Sequence, residues 1–355
     1  MFVALRDLRF ARGRFVLIGA VVALITVLVG FLSGLTGGLA TQNISGVLAL
    51  PADRLVFTVP AGDDAPSFST SSPSREQADT LASFPGVSSV DPLGISQLRA
   101  ETAETGAAVA VFGVPAGFAD TSPAAAGEIT LSGAAAEDLD ATVGDDVTIS
   151  GAAFEVASVG PEAWYSHTPV VQITLADWQA LAEQTGAPGA YATVLAVSGD
   201  PDWAAADAET GTVSESLLGA LGALAAFRSE VGSLLLMVAM LFGISGLVIG
   251  AFFTVWTMQR QGDIAVLKAL GASTRSLARD ALGQALLVLV AGIGVGVGLV
   301  AILGALAGQA LPFLLSPLTT LLPGAIMIAL GLAGAAFALR SVTTADPLTA
   351  LGSNR

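Results

Sequence analysis

Four uninterrupted apolar stretches constrain this chain more than anything else in it: roughly Phe15 to Leu39, Val231 to Thr257, Ala281 to Gln309 and Leu321 to Leu339. None holds a Lys, Arg, Asp or Glu. A bilayer core needs about 20 mostly apolar residues per helix, and a helix satisfies all its backbone N–H and C=O groups internally, as lipid demands. Arg6, Arg9, Arg12 and Arg14 precede the first stretch as they would a secretory leader. Its run far exceeds the about 7–15 apolar residues of a leader, however, so it reads as a retained span. Charged residues make up 12% of the chain, against about 25% in soluble proteins. The expected class is an α-helical membrane protein with four transmembrane helices plus an α+β domain inserted between helices 1 and 2.

Charge sets the expected topology. Thr41 to Glu230 carries 25 acidic residues and four basic ones, whereas the rest of the chain carries four acidic and ten basic, giving the overall −15. Basic residues flanking spans govern orientation, and these are Arg6 to Arg14, Arg260, Lys268, Arg275, Arg279 and Arg340. Both termini and the loop from Met258 to Asp280 are therefore expected on the cytoplasmic side of a bacterial cell membrane, and the acidic block outside. The resulting division is a cytoplasmic amphipathic helix at 1–14, span one at 15–40 and an extracytoplasmic α+β domain at 41–229. Span two follows at 230–257, a cytoplasmic elbow at 258–280, spans three and four at 281–310 and 319–340, and a cytoplasmic tail at 341–355. The link from Gln309 to Thr320 is uncharged, with prolines at 312 and 317, and reads as a shallow turn on the outer side.

In the acidic block, Ile129 and Leu131 alternate as in a strand and Ala134 to Leu139 suits a short helix. Val147/Ile149 and Phe154/Val156 suit a hairpin turning at Ser150-Gly151. Pro60 to Pro73 is rich in turn residues and reads as a mobile loop. Catalytic signals are thin. Asp145-Asp146 follow a glycine and precede a strand, which fits a solvated turn better than an acid–base pair. The one histidine, His167, reads as a strand-end surface residue rather than a ligand, and with no cysteine the chain cannot assemble a zinc site of the usual kind. No enzyme active site, resident cofactor or nucleic-acid partner is expected.

Gly30, Gly34 and Gly38 recur every fourth residue in span one, and Gly246 and Gly250 do so in span two. Such seams let a neighbouring backbone come close; packing within one chain and a dimer or gating interface are both open. Between spans two and three, Ile264, Leu267 and Leu270 form an apolar stripe with Asp263 and Lys268 off it. Gly271 is placed to end the helix in left-handed geometry, and Ser273, after Ala272, to cap the next.

That elbow, RQGDIAVLKALGAS from Arg260 to Ser273, resembles the cytoplasmic signature of the FtsX-like permeases, the MacB-type or type VII ABC transporter family. The span order, the stretch ITLSGAAAEDLDATVGDDVTISG and the terminal RSVTTADPLTALG, with Asp346 and Pro347 starting a short helix, resemble it too. The resemblance covers essentially the whole chain. It implies a permease subunit, paired with a second permease copy in membrane lipid and driven by a separate cytoplasmic ABC ATPase that binds ATP and Mg. The elbow, through Asp263, Lys268, Gly271, Ala272 and Ser273, would couple the two subunits. This chain's one lysine is followed by Ala269, so it has no G-x-x-x-x-G-K-[ST] phosphate loop of its own.

Length and the compact outer domain are similar to the haem-exporter permeases of that family, so haem is the first expected substrate. Efflux of another amphiphile, such as a peptide or macrolide, is the alternative. So is a non-transporting signalling permease that activates an outer partner such as a cell-wall hydrolase. For haem, Glu230 and Met237, seven residues apart on one helical stripe, would ligate the iron. Met240 lies nearby, Arg228 would pair with propionates, and Phe31 and Leu35 of span one would wall the porphyrin.

Overall fold

The computed structural model describes residues 12–62, 65–259, 262, 266 and 270–343. In chain order the elements run α1 (Arg12–Leu48), β1 (Arg54–Phe57), α2 (Arg75–Ala82), β2 (Val87–Glu101), β3 (Gly106–Val114), β4 (Glu128–Ser132) and α3 (Gly133–Leu139). Then follow β5 (Asp146–Ile149), β6 (Ala152–Gly160), β7 (Trp164–Tyr165), β8 (Thr168–Thr174), α4 (Leu175–Gln184), β9 (Val194–Gly199), α5 (Trp203–Thr210) and β10 (Val213–Ser216). A short helix α6 (Leu217–Ala220) leads to α7 (Ala225–Gln259), α8 (Thr274–Ala307) and α9 (Pro317–Thr343). Two compact units result, Met1–Gly38 with Ser233–Arg355, and Leu39–Gly232.

In the first unit, Phe15–Leu48, Ala225–Gln259, Thr274–Ala307 and Pro317–Leu339 are long and apolar enough to cross a membrane, and the chain is a multi-pass membrane protein. Their shared core holds Val22, Val29, Ile249, Phe253, Leu289 and Met327. A hydroxyl in such a core must be paired, and Thr26 Oγ1 donates to the Val22 carbonyl one turn back at 2.8 Å. The glycine seams are filled from within the chain. A Cβ on Gly30 would come within 2.8 Å of Val300, Gly34 lies under the Phe313 ring, and Gly38 lies against the Pro312 carbonyl. Gly246 and Gly250 face Leu330 and Gly334 of α9. The link between α8 and α9 is thus packed into span one: Phe313 meets Phe31 at 5.0 Å between ring centroids, and Leu314 N–H donates to the Gly34 carbonyl at 3.0 Å.

The inserted unit is built on one ten-stranded sheet system ordered β10-β1-β9-β2-β3-β8-β4-β6-β5, with a further β2–β5 pairing. Strand β2 serves both halves. Val87 to Leu93 pair with β9, while Gly94 to Glu101 pair with β3. Because Ala100 and Glu101 also pair with Ile149 and Thr148 of β5, the strands β2-β3-β8-β4-β6-β5 close on themselves. Closure removes an edge that would otherwise offer unpaired backbone groups. Side chains of Val109, Val111, Ile129, Leu131, Val147 and Ile173 fill one core, and Leu55, Phe57, Leu93, Phe112 and Tyr165 a second.

The expected strand at 129–131, helix at 134–139 and hairpin at Ser150-Gly151 are all present. Span one was expected to end near residue 40, and the compact units divide at Gly38/Leu39, while the helix α1 itself runs on to Leu48. Its polar extension contains no proline, and Ile44, Val47 and, just beyond, Leu50 have the Phe57/Phe112 core to pack against. The mobile loop expected from Pro60 to Pro73 needs correction, because its described part is anchored: Phe68 is 5% exposed and meets the rings of Phe57 and Tyr165 edge-on. Across that segment's ends Thr58 N–H donates to Ser71 Oγ at 3.1 Å, and Ser72 N–H donates to Thr58 Oγ1 at 2.7 Å. The periodicity of turn residues hid this single aromatic anchor.

Candidate functional site

The inserted unit brings three polar side chains from distant elements to one point, and a tight turn does the bringing. Strands β7 and β8 pair Trp164 with Pro169 and Tyr165 with Thr168, leaving Ser166 and His167 as a two-residue turn with φ of 47° and 66°. Such turns need positive φ at both positions and ordinarily use Asn-Gly or its like. Placing Ser-His there costs of order 1–3 kcal/mol per residue unless the surroundings hold it. They do hold it: Ser166 N–H donates to the Asn43 carbonyl at 3.1 Å and His167 N–H to the Gln42 carbonyl at 2.9 Å. Trp164 N–H donates to Ser45 Oγ at 2.9 Å. Gly46 of α1 admits this close contact, since a Cβ there would lie 3.0 Å from the Trp164 carbonyl oxygen.

At the tip, His167 Nε2 lies 2.7 Å from Glu230 Oε2, and Asn43 Nδ2 donates to the same oxygen at 3.1 Å. A carboxylate only accepts, so the imidazole proton sits on Nε2. The 3.0 Å approach of Asn43 Nδ2 to His167 Nε2 is then two donors sharing one acceptor. His167 and Glu230 side chains are 34% and 33% exposed, whereas Asn43 is fully buried. Its Oδ1 has no hydrogen-bond partner among the described residues. The expected surface histidine is therefore a correction: His167 is half-buried and bonded to Glu230. Its role was hidden because 63 residues separate the pair and only the fold closes that gap. Asn43 was missed for a related reason, since it lies past the expected end of span one. The one sequence signal was a histidine beside a serine in a segment too short for any turn but a strained one.

Arg228, two residues before Glu230, lines a cavity of about 370 Å³ with Pro66, Ser67, Thr70 and Gly222. The other basic residues of the inserted unit are engaged. Arg54 lies over Trp203 and Arg75 over Tyr191, each at 4.8 Å, and Arg99 pairs with Glu101 at 3.1 Å. Among the described residues the Arg228 guanidinium has no ion pair or ring partner. Nearby in the unit, Tyr165 is wedged between Phe68 and Phe112, and burial pushes its hydroxyl pKa up. Asp145 accepts from the Thr142 N–H at 2.7 Å and from its hydroxyl at 2.9 Å, bonds that lower its pKa. This is the solvated turn the sequence suggested.

The remaining proposed residues lie in the membrane unit. Met237 and Met240 on α7 are 50% and 60% exposed, Leu35 is half-buried, and Phe31 is occupied with Phe313. At the elbow, Gly271 has φ of 92°, and Ser273 Oγ accepts from Ser276 N–H at 3.2 Å to cap α8. Ala272 lies between them. Asp263 and Lys268 lie outside the described residues, as do Asp346 and Pro347. No group of three or more histidines and carboxylates placed to hold a metal ion occurs among the described residues.

Residues 228–347 match the FtsX-like permease C-terminal family. The chain is 26% identical, over 99% of both chains, to a protein of Staphylococcus haemolyticus named hemin transport system permease protein HrtB. It is 22% identical over the whole of both chains to a like-named protein of Staphylococcus epidermidis. An uncharacterised ABC transporter permease of Mycobacterium bovis is 24% identical, again over 99% of both. Among solved structures, the periplasmic region of MacB from Actinobacillus actinomycetemcomitans aligns with 48% of this chain and 92% of its own at 10% identity and a TM-score of 0.36. The extracellular domain of YknZ from Gram-positive bacteria aligns with 44% and 87% at 16% identity and a TM-score of 0.32. With four apolar helices, a β-rich domain between the first and second, and the family match across the last three, the chain carries an FtsX-like permease domain at residues 228–347 and is homologous along its full length to permeases named HrtB.

Proposed function

We propose that this chain is the permease subunit of an ABC-type efflux pump that extrudes haem from the bacterial cell membrane. Two relatives named for hemin transport support the substrate. The observation that carries the reading is the spacing of Glu230 and Arg228 at the start of α7. One can ligate iron, and the other can pair with a carboxylate in a fork of charge-assisted bonds. Haem is an apolar disc bearing both partners, an iron and two propionates. The Ser67 and Thr70 hydroxyls beside Arg228 add donors for the acidic arms. Met237 would be the second iron ligand, Met240 a soft neighbour, and Phe31 and Leu35 apolar walls; two copies of the chain would enclose the substrate between them. The inserted domain would lie outside the cell and both termini inside.

Energy would come from a cytoplasmic ABC ATPase that binds ATP and Mg, because this chain carries no phosphate loop. The elbow would take up its motion. Among the described residues nothing lies within 4 Å of a Cβ built on Gly271, and the cost of substitution there falls on its positive φ. Gly271→Val is expected to leave the protein folded while uncoupling ATP hydrolysis from export, since a β-branched residue resists positive φ. Hydrolysis and export measured together in proteoliposomes check this, and full export by a folded variant would remove the elbow from the mechanism. The substrate itself is tested by the absorption spectrum of the purified protein. A Soret band that survives detergent exchange is expected; its absence after haemin addition would turn the reading to another amphiphile.

A further inference from the structure

We propose that the β7–β8 turn is a latch held shut by His167 on Glu230, and that a substrate opens it by taking the Glu230 carboxylate for itself. The inference rests on the reading of Glu230 as a substrate ligand and extends it to how occupancy is signalled.

Glu230 Oε2 is the shared acceptor for two donors on two other elements, Asn43 on α1 and His167 on the turn. One oxygen thus ties α1, the β7–β8 turn and the start of α7 together. The other bonds at the turn are weaker holds. The Gln42 and Asn43 carbonyls inside α1 receive the turn's amides at 2.9 and 3.1 Å on a second lone pair, and these are neutral amide bonds, roughly half as strong as a charge-assisted one. The His167–Glu230 contact, at 2.7 Å, is as short as the Thr168 Oγ1 bond to the Tyr165 carbonyl within the turn, and it alone is charge-assisted. The strained backbone at Ser166 and His167 favours release once that contact goes. A device that switches needs two states of similar free energy, and strain set against one strong bond supplies that balance. A metal that draws Glu230 away removes the bond and leaves the strain.

Hydrogen exchange by mass spectrometry on the full chain in lipid nanodiscs tests this, reading the amides of 163–170 against those of the core strand β3. His167→Ala and Glu230→Ala are each expected to raise exchange at the turn by about tenfold or more, with β3 unchanged. His167→Gln, which keeps an N–H donor for Glu230, is expected to retain most of the protection. Unchanged turn exchange in both alanine variants would overturn the latch. Haemin added to the wild-type chain is expected to raise turn exchange toward the level of the alanine variants. Haemin bound by its Soret signature with the turn still protected would overturn the displacement while leaving haem as substrate. Should the wild-type chain bind no haemin, the haem reading falls and the variants alone decide the latch.

Discussion

A Gly38→Leu chain is expected to fail to accumulate as folded protein. The cause is geometric. A Cβ at this position would overlap the Pro312 carbonyl oxygen, a backbone atom in a link that cannot give way, because it is fixed at both sides. Leu314 N–H is bonded to the Gly34 carbonyl, and the Phe313 ring fills the notch over Gly34 and Gly304. Inserting even one methyl group into a well-packed core costs about 1–3 kcal/mol, and here the neighbour is less able to move than a side chain. Emptying the same notch by Phe313→Ala is expected to cost about 3–5 kcal/mol. Gly294→Ala supplies the contrast, since none of the described residues lies within 4 Å of a Cβ built there. Membrane yield and thermal stability in one detergent measure all three. A Gly38→Leu protein that melts with the wild type would mean that the link does not pack on span one as described.

Glu230→Ala is expected to abolish haem tolerance in cells and weaken haemin binding to the purified protein by at least about 100-fold, the scale on which even supporting residues of metal sites act. Glu230→Gln separates two roles. It still offers an acceptor to His167 and Asn43 but no charge for iron, so binding is expected to be lost while the turn keeps more protection than in the alanine variant. Met237→Ala is expected to shift the Soret band rather than erase it, because it would remove one ligand of two. Spectra and tolerance unchanged in both Glu230→Ala and Met237→Ala would exclude these residues as ligands.

Much of the architecture could be read along the chain because bilayer insertion is a local property. Twenty apolar residues in a row need no partner to reveal a span, and the acidic block between the first two announced a separate domain. Turn chemistry was local as well: Gly271 has the positive φ expected of it and Ser273 the expected cap. The seams at Gly30, Gly34 and Gly38 were visible, but not what fills them, since two interfaces use the same spacing and only the fold of the α8–α9 link selects one. Phe68 was one aromatic in a polar stretch, and nothing near it in sequence told of Phe57 and Tyr165.

The candidate site divides in the same way. Glu230 and Arg228 stood out because charge next to an apolar span is costly and therefore conspicuous. His167 and Asn43 did not, because each is unremarkable among its sequence neighbours and gains its meaning from a contact across 63 and 187 residues. Composition and periodicity report what a segment does to solvent and lipid. Which polar groups finally share one carboxylate oxygen depends on long-range closure of the sheet and on a strained turn held by the end of a helix, and those are properties of the assembled chain.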